Sequence, residues 1–97
     1  MEQDDRESVR WFQLAAEQGD AVAQAGLGLA YGTGRGVLQD FVTSHMWMTL
    51  AAAQFTGVTL NGALKLRDTI AAAMTPAQVA EAQRLVREWD AAHPRDP

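Results

Sequence analysis

With 97 residues, 47% hydrophobic and 21% charged content, the chain has the make-up of one globular domain, able to bury roughly 60 to 70% of its unfolded surface. A net charge of −4 with a single lysine speaks against nucleic acid, because phosphate binding draws on clustered Lys and Arg. No run is long and apolar enough to span a membrane, and the absence of cysteine removes disulfides, thiol nucleophiles and thiolate metal sites.

The start, MEQDDRES, is acidic and polar, the opposite of a signal peptide, so the expected location is the cytoplasm and the expected partners are proteins. Asp4 or Asp5 can cap a first helix running to about Gln18, and Gly19 is a natural stop because it accepts a left-handed conformation without a Cβ clash. Asp20 can cap a second helix, roughly Ala21 to Tyr31, which Gly32, Gly34 and Gly36 end. The loop Gly-Thr-Gly-Arg-Gly then carries Val37 as a buried anchor, and Asp40 caps a third helix to about Gln54. A fourth helix is expected over roughly Val58 to Ala73. Thr75-Pro76-Ala77-Gln78 gives a capping box with Pro at the first helical position, opening a fifth helix to about Ala92. On that helix Val79, Ala82, Leu85, Val86 and Trp89 share one side, which suits a helix that closes an array. Residues 93–97 read as a loose tail. No alternating run demands a strand, so the chain reads as all-α.

The segment SVRWFQLAAEQ, Ser8 to Gln18, is echoed 36 residues later by SHMWMTLAAAQ, Ser44 to Gln54, with six of eleven positions identical. Repetition at this period marks a stacked architecture whose units cannot bury their apolar faces alone. Eighteen alanines, with Gly26 and Gly28 inside a helix, permit close helix contacts of that kind. Gly costs about 1 kcal/mol relative to Ala in a helix, so tight packing must offset it.

A Leu-Gly pair, a Tyr, a Gly-x-Gly-Val loop, an Asp and a Trp-x-x-x-Ala-Ala segment occur in order at Leu27, Gly28, Tyr31, Gly34, Gly36, Val37, Asp40, Trp47, Ala51 and Ala52, with Gln54 after them. Together with WFQLAAEQGDAVAQ, this resembles Sel1-like repeats, relatives of tetratricopeptide repeats, over about residues 8–55. The stretch LRDTIAAAMTPAQVAEAQRLVREW is similar to the closing segment seen after such repeats. Phe55 departs from the pattern, standing where the first copy has Gly19, and the following helix is degenerate. The resemblance implies an α/α solenoid of about two hairpins plus a C-terminal capping helix. Repeat one spans about 5–39, repeat two about 40–74, the cap about 76–92. It also implies a non-catalytic scaffold or adaptor that holds a partner peptide or helix in a shallow groove. Cys-rich relatives have been linked to hydrolase activity, a link the lack of Cys here weakens. A remaining alternative is a terminal piece or subunit of a larger or oligomeric array.

Each candidate for chemistry has a plainer reading. The Gly32–Gly36 loop lacks the Lys-Ser/Thr ending of a phosphate cradle and follows a helix, so it reads as a turn. His45 has only His93 for company, too few donors for a metal, and reads as a surface or helix-packing residue. Arg67 beside Asp68 and Glu81 with Arg84 read as exposed ion pairs. Thus no catalytic, cofactor or metal residue is expected. Trp11 and Trp47, at matching positions, read as core. Yet no copy precedes the first helix, which leaves Trp11 and Leu14 partly bare and self-association open. The polar edge Arg10, Gln13 and Glu17 corresponds to an apolar edge, Met46, Thr49 and Ala53, on the third helix. Either the fourth and fifth helices cover that second edge, through Trp89 and Leu85, or it is a docking patch. The expected partner-binding residues are Arg10, Gln13, Glu17, Val42, His45, Met46 and Thr49.

Overall fold

The structure, a computed structural model, describes residues 4–94. Among them are five helices and no strand: α1 (Asp5–Glu17), α2 (Ala21–Thr33), α3 (Phe41–Ala52), α4 (Gly57–Ala72) and α5 (Pro76–Ala92).

Local chemistry sets most of the boundaries. The side chains of Asp4, Asp20 and Asp40 accept from the backbone N–H groups of Arg6, Ala23 and Thr43, capping α1, α2 and α3. Thr75 and Gln78 form the reciprocal capping box of α5, at 3.1 and 2.8 Å. After α1 the chain turns at Gly19, with φ of 95°. At the corresponding place after α3, Phe55 cannot adopt that conformation. It packs instead, half-buried, against Met48, Ala52 and Ala63, and the left-handed residue moves to Gly57, φ 59°. Gly32 does not end α2, contrary to the expectation above: the helix runs on to Thr33 and stops at Gly34, whose φ of 75° ends it in the left-handed region.

The helices form two hairpins and a closing helix. α2 lies between α1 and α3, while α3 packs against α2, α4 and α5. One core joins Val9, Ala16, Ala23, Leu27, Ala30, Trp47 and Leu50, with Val37, Val86 and Trp89 against it. Close approach of α2 to α3 rests on Gly28: a Cβ placed there would lie 2.9 Å from Met48 Cε and 3.3 Å from the Ser44 carbonyl oxygen. The Ser44 hydroxyl donates to the Gly28 carbonyl across the same gap. A second tie is Gln24, fully buried, which donates to the Ala16 carbonyl at 3.2 Å and accepts from Gln54 at 3.1 Å. Two polar residues of the pattern, Ser44 and Gln54, thus fasten successive helices.

The first residue of the segment read as a loose tail lies against the fifth helix. His93 stacks on Trp89 with ring centroids 3.8 Å apart and a tilt of 8°; the remainder, residues 95–97, lies outside the described residues. The imidazole finds an aromatic face one helical turn back.

Candidate interaction surface

The duplicated helices α1 and α3 meet opposite fates. Trp47 and Leu50 on α3 are 4% and 2% exposed, whereas their counterparts Trp11 and Leu14 on α1 are 66% and 56% exposed. Trp11 is therefore not core. Trp47 is enclosed by the first hairpin and by Trp89 of α5, whose ring meets it edge-on at 6.2 Å and 72°; no described helix packs on the equivalent side of α1.

The seven residues expected to face a partner divide the same way. Arg10 and Glu17 are exposed and Gln13 is half-buried, with Gln13 Nε2 donating to Glu17 Oε1 at 3.0 Å. Among the described residues Arg10 has no ion-pair partner. On α3, Val42, Met46 and Thr49 are half-buried. Met46 packs onto the core that Val86 and Trp89 also cover, and Val42 and Gln78, at the start of α5, line the same surface hollow. Leu85 is half-buried on α5. The apolar edge of α3 is thus partly closed by the fifth helix. The Thr49 hydroxyl donates to the His45 carbonyl at 2.8 Å.

His45 is 5% exposed, so its ring is not presented to a partner. Its place on α3 turns it toward α4, where burial, and then the positive charge of Arg67, hold its pKa below the ordinary 6.5 against the opposing effect of Asp68. It is a neutral packing residue.

The ion pairs among the described residues lie at the surface. Arg84 lies between Glu81 and Glu88 on α5, and its bonds hold the Glu81 carboxyl below its ordinary value. Among the described residues no group of three or more His, Cys, Asp or Glu is placed to hold a metal ion, and no helix is long and apolar enough to cross a membrane. The residues that sequence reasoning underrated are Trp11 and Leu14. Their membership of the repeat pattern, shared with Trp47 and Leu50, pointed to the core and masked their exposure.

The Sel1 repeat family model matches residues 1–20 and 21–54, more than half of the chain. The two matched segments meet between α1 and α2, so the second spans α2, the glycine loop and α3. No curated protein and no solved structure matches the chain. A helical hairpin stack whose glycine loop and repeated Trp-x-x-x-Ala-Ala helices fall within the matched residues is a member of the Sel1 repeat family, whose repeats generally mediate protein–protein interaction.

Proposed function

We propose that this chain is a non-catalytic scaffold or adaptor that seats a protein partner on the outward face of α1. One observation carries the reading. Trp11 and Leu14 lie open on a helix whose sequence twin is covered, and a large aromatic beside an aliphatic residue is the composition that anchors interfaces. Arg10, Gln13 and Glu17 run along the same helix, charged or amide groups suited to a polar rim around such an anchor. The α3 residues of the expected patch contribute less, because α5 already lies over part of that edge.

Affinity capture with the immobilised chain tests this. Proteins retained by the wild type should be lost with Leu14→Glu and weakened with Arg10→Glu, and should persist with Arg87→Glu on the exposed side of α5. Retention of every partner by the Leu14 variant would place the binding surface elsewhere.

A further inference from the structure

We propose that the outward face of α1 pairs with the same face of a second copy of this chain, in an antiparallel, twofold-symmetric contact. The inference rests on the reading of α1 as the interaction surface and names its occupant.

The charge pattern selects a second copy. Arg10 and Glu17 are both exposed and lie seven positions apart, about 10 Å along the axis at 1.5 Å per residue. They stand on one edge of the helix, within roughly 20° of each other at 100° per residue. When two such helices run antiparallel around a twofold axis between Gln13 and Leu14, Arg10 of each copy falls opposite Glu17 of the other. The edge is therefore self-complementary: one rotation makes two ion pairs, as an isologous interface requires. No described residue forms an ion pair with Arg10, and Glu17 has only the neutral amide of Gln13.

Between the two charged positions lie Trp11 and Leu14, which the contact would take out of water. The molecule itself shows how such a face is closed. On α3 the equivalent Trp47 is met edge-on by Trp89 of one amphipathic helix, α5, whose Val86 also packs on the core that holds Trp47 and Leu50. A second α1 offers the same chemistry, an aromatic and an aliphatic residue one turn apart. A crossing of about 20–50° keeps the central turns together while separating the helix ends, and with them Glu7 from the second copy's Asp20.

Sedimentation equilibrium on the 97-residue chain tests the proposal with a charge-reversal set. The wild type should form a dimer. Arg10→Glu and Glu17→Arg, each placing like charges opposite at both rim positions, should each raise the dimer dissociation constant about fivefold to tenfold. The double variant should restore the wild-type value. These substitutions are expected to fold, since they put negative charge earlier and positive charge later in the helix, which favours the helix dipole; circular dichroism checks it. Leu14→Glu should be monomeric. A wild type that stays monomeric to about 1 mM overturns the proposal, as does a dimer that survives Leu14→Glu, or single and double charge variants that behave alike. Failure here is separable from failure of the interaction reading: a monomeric chain that still captures a different protein through Leu14 loses the second copy alone.

Discussion

Gly28→Leu is the sharpest probe of the helix stack. The first added carbon would sit 2.9 Å from Met48 Cε and 3.3 Å from the backbone oxygen of Ser44, against an ordinary contact of about 3.5–4.0 Å. Met48 is fully buried, so its flexible end can yield only by repacking inside the core, and the Ser44 backbone oxygen can retreat only if α3 moves with it. Overpacking of this kind costs about 1–3 kcal/mol. Displacing α3 also strains the Ser44–Gly28 hydrogen bond, worth about 0.5–1.5 kcal/mol, while the gain in helix propensity returns about 0.8–1.0 kcal/mol. The net expectation is a loss of about 2 kcal/mol, or roughly 8–16 °C in Tm for a domain of this size. Thermal melts followed by circular dichroism measure it. Gly62 supplies the control, because a Cβ there meets nothing within 4 Å: Gly62→Ala should stabilise by about 0.5–1 kcal/mol. A Gly28→Leu melt within about 2 °C of wild type, or an equal loss from Gly62→Leu, would refute the close-approach account.

The duplicated tryptophans should respond unequally. At low protein concentration Trp47→Ala is expected to cost about 3–5 kcal/mol and Trp11→Ala less than about 1 kcal/mol, so similar urea midpoints would contradict their contrasting burial. Gly36→Ala should destabilise by more than about 1–2 kcal/mol, because φ is 81° and the new Cβ would sit 2.5 Å from the Asp5 carbonyl oxygen; proteolytic susceptibility of the α2–α3 loop should rise with it. The depressed pKa of His45 fixes the sign of a pH effect. The native state binds fewer protons than the unfolded state once pH drops below the unfolded value near 6.5, so stability is full above that pH and falls as the solution is acidified toward the folded pKa. Urea melts at neutral and mildly acidic pH should show a larger loss for wild type than for His45→Gln, and equal losses would remove His45 from the balance.

Much of the fold was legible because it depends on interactions a few residues long. The aspartate caps, the Thr75–Gln78 box and the left-handed glycines each involve neighbours in the chain. Gly32 was misread for the same reason: a glycine heading a run of three looks like a breaker, and only the Ser44 hydroxyl 3.0 Å from the site of its missing Cβ shows that it serves helix contact. His45 and Trp11 were harder. Helical periodicity places a side chain on a face without saying what lies opposite, and the identical position of two tryptophans in two copies conceals that their neighbours differ.

By itself the sequence determined that the chain is helical, that it repeats at 36 residues and that its units are too thin to shelter their own apolar sides, since capping and period are local properties. The tertiary structure decided which of the two like helices is enclosed. Burial belongs to the whole packing arrangement: α5 settles on the core that holds Trp47 and Leu50 and leaves Trp11 and Leu14 in water, because a single closing helix covers one such face and not two.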